Sequence, residues 1–248
     1  SFADTHNVII VAPQALDLAG AVVFDSFSDP QNNRDLMLFD DMVTCISESY
    51  SIDSERIWVT GMSAGGLMTG MLIARRNEVI AAAAPFSGGM GVEYVSASRQ
   101  MPVLVSWGGE FDEAFGQNFH TMATKMIQTL QDNEHFVVSC DHNQGHTLIK
   151  SYWYWALQFL ADHPRDRGIR HLSHQVDGHY CLRFGVAANA GPAQLLVLNA
   201  LRRAGSNHCV RRRPNPHEHA AILVTDMFEF EGSVGGQAAD IPLEPLDG

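Results

Sequence analysis

Short apolar runs alternate with segments of helical periodicity through the first two thirds of the chain. The apolar runs are residues 8–12, 57–60, 80–86, 102–106 and 136–140. The segments with apolar residues at helical spacing are 36–50, 61–76, 119–132 and 149–162. Most of the runs have apolar residues on both faces, which indicates strands buried on both faces under covering helices. The sequence therefore predicts an α/β fold with a doubly wound, mainly parallel sheet.

The pattern weakens after Pro164, and the charge balance changes at the same place. Residues 1–164 contain 7 basic and 19 acidic residues, whereas residues 165–248 contain 9 of each and no lysine. We expect residues 1–164 to form the core and residues 165–248 a C-terminal segment of unknown or poorly ordered structure. Within that segment, 192–203 could form a helix and 221–230 a strand, while 14–35 in the core is expected to be a loop.

Composition excludes several classes of protein. A net charge of −12 argues against binding to nucleic acid or to an anionic membrane surface. No apolar run approaches the ~18 residues that a membrane-spanning helix needs, so membrane insertion is not expected. The 4 cysteines allow up to two disulfides but form no CxxC pair, and the histidines within 171–181 and 217–219 match no standard zinc spacing. We therefore expect no metal.

A nucleophile motif follows the second apolar run. Gly61-Met62-Ser63-Ala64-Gly65 matches G-x-S-x-G, with a strand predicted at 57–60 before it and a helix after it. In this setting a sharp turn exposes the serine hydroxyl at the carboxyl edge of the sheet. Ser63 is the candidate nucleophile, and the Ala64 N–H at the helix N-terminus is a candidate oxyanion donor. Met62 either lines an acyl pocket or packs beneath the turn.

A candidate acid follows the run 102–106. A serine nucleophile needs a base, and the base needs an acid that orients it. After a strand–serine turn–helix motif of this kind, the acid comes next along the chain and the histidine follows it. Asp112 lies in a G-x-x-D turn and is the favoured acid, with Glu110 and Glu113 as alternatives. Trp107, directly before this loop, either forms a pocket wall or packs in the core.

A candidate base follows the run 136–140. His146 comes after Gly145, where the chain can turn the imidazole back toward Ser63. His142 lies closer to the strand and is the alternative. Both loops are expected at the sheet edge that carries the serine, because the carboxyl ends of parallel strands share one edge.

The segment RIWVTGMSAGGLMTG (56–70) resembles the nucleophile region of the poly(3-hydroxybutyrate) depolymerase and feruloyl/acetylxylan esterase group of α/β-hydrolases. The segments PVLVSWGGEFD and CDHNQGHT are similar to the acid and histidine loops of that group, and the likeness covers about residues 1–164. It implies an α/β-hydrolase-type sheet and a serine esterase, usually exported to the periplasm or the medium, that needs no cofactor. By this resemblance Ser63 is the nucleophile, Asp112 the acid, His146 the base and Ala64 an oxyanion donor.

The resemblance leaves open whether the N-terminal edge of the sheet is complete and which reaction the protein catalyses. Family members begin with a strand ending in His-Gly that supplies a second oxyanion N–H, and no such segment is found here. We therefore expect a sheet that is incomplete at its N-terminal edge, unless another segment fills the gap. The expected function is hydrolysis of small or polymeric carboxylic esters. The alternatives are a serine peptidase or thioesterase with the same triad, or a non-catalytic protein or fragment with this fold.

Overall fold

The computed structural model describes residues 2–13, 15–18, 21–165, 181–184, 196–200 and 220–225. The helices in these ranges are α1 (Phe2–His6), α2 (Arg34–Ser49), α3 (Ala64–Arg75), α4 (Phe119–Asp132) and α5 (Lys150–Asp162). The strands are β1 (Val8–Pro13), β2 (Leu16–Leu18), β3 (Ala21–Val23), β4 (Ile52–Met62), β5 (Ala82–Phe86), β6 (Pro102–Trp107), β7 (Glu113–Ala114), β8 (Gln117–Asn118), β9 (Phe136–Asp141), β10 (Cys181–Phe184), β11 (Leu196–Ala200) and β12 (Ala220–Thr225).

An eight-stranded sheet organises the molecule, with the strand order β10-β9-β6-β5-β4-β12-β1-β11. Every neighbouring pair is parallel except β10 with β9, which is antiparallel. Two antiparallel hairpins, β2–β3 and β7–β8, lie outside this sheet. The predicted α/β class with a mainly parallel sheet is confirmed.

Two apolar clusters cover the two faces of the sheet. On β6, Val103 and Val105 belong to one cluster and Leu104 to the other, as the alternation of side chains along a strand requires. Buried residues of α2, α3 and α4 complete the first cluster, and buried residues of α1 and α5 complete the second. Helices therefore cover both faces, which explains why the central strands have apolar residues on both faces. No helix in the described ranges is long and apolar enough to cross a membrane.

Two predictions of local structure are wrong. Residues 14–35 were expected to be a loop, but β2 and β3 pair within them as a short antiparallel hairpin. Residues 192–203 were expected to be a helix, but Leu196–Ala200 is strand β11, parallel to β1. Apolar spacing in so short a run fits helix and strand alike, and the long-range pairing with β1 decides in favour of the strand.

The C-terminal segment contributes three strands to the sheet. β12 lies between β1 and β4, and its residues 221–224 are completely or almost completely buried. With β11 on its other side, β1 is paired along both edges. The division of the chain at residue 164 stays a prediction, since 166–180, 185–195, 201–219 and 226–248 lie outside the described residues. The histidines at 171–179 and 217–219 lie there too.

Candidate active site

Ser63 occupies a one-residue turn between β4 and α3. Its backbone has φ 55° and ψ −114°, a conformation that residues with a Cβ rarely adopt. Main-chain hydrogen bonds stabilise it: Ser63 N donates to Phe86 O at 3.0 Å, and Leu67 N donates to Ser63 O at 2.9 Å. The turn therefore presents Ser63 Oγ at the carboxyl edge of the sheet, as the G-x-S-x-G motif predicts.

Glycines allow α3 to lie directly on the chain that follows β5. A Cβ on Gly66 would collide with Phe86 O and with the backbone of Gly88. A Cβ on Gly70, one turn later, would collide with Gly89 O. This close backbone contact fixes the start of α3, and with it the turn that carries the serine.

Asp112 lies in the loop after β6 and is completely buried. Its Oδ1 is 2.7 Å from His146 Nδ1, while Oδ2 accepts hydrogen bonds of 2.7 Å from both Ser87 Oγ and Gly108 N. Burial opposes the charged form, but the hydrogen bonds from His146, Gly108 and Ser87 together lower the pKa of Asp112 below its usual value. Asp112 is therefore an anion held in one orientation.

His146 connects the acid to the serine. Its Nε2 is 2.8 Å from Ser63 Oγ, and its ring stacks on Phe119 with centroids 4.6 Å apart. Because an ionised carboxylate only accepts hydrogen bonds, the Nδ1 beside Asp112 carries the proton of the neutral ring. The lone pair on Nε2 then accepts the Ser63 hydroxyl proton. This arrangement can activate a hydroxyl as a nucleophile.

The acid and histidine loops are fixed to each other by main-chain contacts. Gly145 N donates to Gly108 O at 2.8 Å, and His142 N donates to Trp107 O at 3.0 Å. A Cβ on Gly108 would overlap Gly145 O, so the two loops approach more closely than other residues permit. Asp112 and His146 are thus positioned by one connected piece of backbone.

The structure separates the alternatives that the sequence left open. Glu110 is exposed, and Glu113 accepts a hydrogen bond from Asn118 Nδ2 at 2.8 Å on the β7–β8 hairpin. His142 is buried, with its ring edge-on to Tyr152 at a centroid distance of 5.8 Å. Of the predicted acids and bases, Asp112 and His146 are the pair brought to Ser63.

The remaining predicted residues divide into one at the site and two in the core. Ala64 is the first residue of α3, where a helix leaves N–H groups without intrahelical acceptors. Met62 is 4% exposed and belongs to the apolar cluster on the α5 side of the sheet. Trp107 is 8% exposed, and its indole N–H donates to His120 Nδ1 at 3.1 Å. The structure therefore favours packing over a pocket role for Met62 and Trp107.

Ser87 is the site residue that sequence reasoning missed. The Ser-Gly-Gly sequence at 87–89 matches no catalytic motif, and its local pattern does not place it beside the acid. Its hydroxyl instead donates to Asp112, 25 residues further along the chain. The available signal was its place at the carboxyl end of β5, between the strands that carry Ser63 and Asp112. Among the described residues, no group of three or more His, Cys, Asp or Glu side chains could hold a metal ion.

Sequence comparisons find similarity to known proteins over part of this chain. Residues 34–114 match the model of the prolyl oligopeptidase family. Over 90 residues, 35% of this chain, the sequence is 31% identical to poly(3-hydroxyalkanoate) depolymerase C of Paucimonas lemoignei. The aligned region spans 22% of that relative, so the likeness concerns a part of it.

Solved structures show the same fold at low sequence identity. Native sOPH has a TM-score of 0.54 at 17% identity, covering 75% of this chain and 87% of its own. Native pOPH has a TM-score of 0.54 at 18% identity, covering 76% and 88%. The carboxylesterase of Bacillus cereus has a TM-score of 0.51 at 12% identity, covering 62% and 87%. The chain has the α/β-hydrolase fold. Together with the depolymerase match, this confirms the resemblance to the α/β-hydrolase esterase group.

Proposed function

We propose that this α/β-hydrolase is a serine esterase that hydrolyses carboxylic esters through an acyl-enzyme. The observation that carries the proposal is the continuous hydrogen-bond chain from Ser63 Oγ through His146 to Asp112, with distances of 2.8 and 2.7 Å. These three side chains come from loops after three different strands. Their convergence at the strained serine turn supports catalysis over a purely structural role.

Acylation begins when Ser63 Oγ attacks the ester carbonyl carbon and its proton passes to His146 Nε2. The carbonyl π electrons move to oxygen, and the resulting oxyanion is stabilised by the Ala64 N–H and the positive end of the α3 dipole. Asp112 stabilises the imidazolium that forms. When the intermediate collapses, the C–O bond to the alcohol breaks and His146 returns the proton to the leaving oxygen.

Deacylation repeats the same steps with water as the nucleophile. His146 Nε2 takes a proton from water as the water oxygen attacks the acyl carbon, giving a second oxyanion beside Ala64. Collapse breaks the bond to Ser63 Oγ, which recovers its proton from His146. The carboxylic acid leaves and the resting hydrogen bonds re-form.

The proposed substrates are esters of the polyhydroxyalkanoate, feruloyl or acetyl type. The likeness to poly(3-hydroxyalkanoate) depolymerase C supports this choice. A serine peptidase is the second candidate, because residues 34–114 match the prolyl oligopeptidase family and the same triad could cleave an amide. Relative kcat/KM values on matched ester, thioester and amide substrates distinguish these two candidates.

Active-site labelling tests the proposal directly. A fluorophosphonate probe should label the wild-type chain and fail to label Ser63→Ala. Ser106→Ala is the matched control, because Ser106 is a buried serine near the end of β6 whose hydroxyl has no hydrogen-bond partner among the described residues. Ester hydrolysis should fall at least ~10⁴-fold in Ser63→Ala and remain in Ser106→Ala. A folded wild-type chain with neither labelling nor turnover would instead support a non-catalytic protein.

We also propose that the protein is exported to the periplasm or the medium. Cys45 and Cys140 are both disulfide-bonded, and such bonds persist in oxidising compartments. Fractionation of cells that express the full-length gene product, with detection of its oxidised form outside the cytoplasm, tests this assignment. Recovery of the protein in the cytoplasm with reduced thiols would refute it.

A further inference from the structure

Ser87 has no role in the mechanism proposed above, yet it contacts the acid directly. It follows β5, which lies in the sheet between the strand that leads to Ser63 and the strand that leads to Asp112. Its side chain is 1% exposed, and its hydroxyl donates to Asp112 Oδ2 at 2.7 Å. A buried hydroxyl directed at the acid invites a functional explanation.

The hydrogen bonds of the Asp112 carboxylate show what the hydroxyl contributes. Oδ1 is hydrogen-bonded to His146 Nδ1, and Oδ2 accepts hydrogen bonds from Ser87 Oγ and Gly108 N. Since Asp112 is completely buried, bulk water cannot replace a lost donor. Without Ser87 the carboxylate keeps one donor on Oδ2 and can rotate or tilt about it.

The backbone at Ser87 is fixed independently of this hydrogen bond. Ser87 N donates to Ser106 O at 2.8 Å, and the following Gly88 lies against Gly66 of α3. The φ of Ser87 is 40°, in the left-handed region that favours glycine. A residue with a side chain is thus retained at a strained position, and its hydroxyl is within hydrogen-bonding distance of the acid.

We propose that Ser87 is a positioning residue of the proposed esterase, orienting Asp112 so that the Oδ1 of that carboxylate holds His146 toward Ser63. This inference rests on the proposed function. Ser87 does not touch substrate, and no bond to it forms or breaks. It acts on the reaction through the direction of the carboxylate and through the charge that Asp112 offers to the imidazolium.

The experiment compares Ser87→Gly and Ser87→Ala with wild type and Ser106→Ala. Ser87→Gly removes the hydroxyl and relieves the positive φ, so we expect it to stay folded, because the backbone gain offsets part of the cost of the lost hydrogen bond. Both Ser87 variants should lose about 10- to 100-fold in kcat on a p-nitrophenyl ester, with KM changed less than about 3-fold. Ser106→Ala removes a buried hydroxyl that does not contact Asp112, and should keep wild-type kcat.

A pH profile separates positioning from a merely structural effect. Without the Ser87 donor, the Asp112 carboxylate can tilt, which changes its interaction with the imidazolium of His146. The acidic limb of the kcat/KM profile should therefore shift in both Ser87 variants and stay in place in Ser106→Ala. Wild-type kcat and an unmoved profile in a folded Ser87→Gly would overturn the inference. Absence of Ser63-dependent turnover in the wild type would instead overturn the proposed function.

Discussion

Acid should destabilise this protein through one buried histidine, His135, which lies directly before β9. The ring is 5% exposed, its Nδ1 accepts a hydrogen bond from Met101 N at 2.9 Å, and its Nε2 is 2.5 Å from the Tyr94 hydroxyl. Because Nδ1 accepts, the neutral ring carries its proton on Nε2 and donates it to the Tyr94 oxygen. Burial, with the nearby charge of Arg99, lowers the pKa of His135 from 6.5 to about 4.

Acid lowers the free energy of unfolding because the unfolded chain binds a proton on His135 more readily than the folded chain does. The unfolded chain takes up a proton on His135 below pH 6.5, whereas the folded chain resists it down to about pH 4. The stabilising contribution is therefore complete above pH 6.5 and is lost as the pH falls to about 4. At 1.36 kcal/mol per pKa unit it amounts to at most about 3 kcal/mol, and to about 2 kcal/mol after allowance for partial solvent screening.

Urea unfolding of wild type and His135→Gln at about pH 7, 5.5 and 4 measures this contribution. Gln does not titrate, yet it can accept from Met101 N and donate to Tyr94. The unfolding free energy of the wild type should decrease more than that of the variant over this range, by about 2 to 3 kcal/mol in total. Parallel pH dependences in the two proteins would refute the assignment of this acid sensitivity to His135.

Three further changes test other parts of the structure. Asp112→Asn should keep the melting temperature within a few degrees and lower kcat about 10⁴-fold, because an amide can hold the wrong tautomer of the histidine. Near-normal turnover would argue against the triad. Gly66→Ala should cost about 1–3 kcal/mol in urea unfolding, since its Cβ meets Phe86 O and other fixed backbone; an unchanged midpoint would contradict that packing. Leu223→Ala should lower the free energy of unfolding by about 2–5 kcal/mol, because Leu223 of β12 is completely buried. A loss below about 0.5 kcal/mol, as for a surface substitution, would contradict that position.

The parts of the fold that the sequence predicts are those decided by local pattern. β6 has apolar residues on both faces and is buried at every position, so its run alone indicates a central strand. α4 begins at Phe119 and ends at Asp132, the predicted limits, because a capping Asn118 precedes a strongly amphipathic segment. Such elements form in the predicted places because propensity, capping and burial favour the same structure.

The candidate site was predictable for a related reason. The serine motif needs a strand before it and a helix after it, and both are evident from the run 57–60 and the spacing that follows. The acid and histidine loops follow later strands of the same parallel sheet, so their convergence is a consequence of topology. The choice of Asp112 over Glu110 depended on a turn pattern, and the structure shows its reason: the Asp112 side chain is buried and Glu110 is exposed.

Local sequence pattern does not predict contacts between segments that are distant along the chain. The Ser87–Asp112 hydrogen bond requires β5 and β6 to be neighbours with a known register, which no periodicity encodes. Strand β11 has the same difficulty, since its five residues have apolar spacing compatible with a helix until β1 is placed beside them. In both cases the deciding interaction joins two neighbouring strands of the sheet that are distant in the sequence.

The position of β12 connects the C-terminal segment to the chemistry. β4, which ends directly before Ser63, is paired with β5 on one side and with β12 on the other. The pairing with β12 extends to Thr225 opposite Thr60, three residues before Ser63. The strain at Ser63 can be maintained only if its supporting strand is held on both sides, because a strained φ relaxes when its surroundings become mobile. Weakening β12 should therefore lower the rate of fluorophosphonate labelling at Ser63 even under conditions in which the protein remains folded.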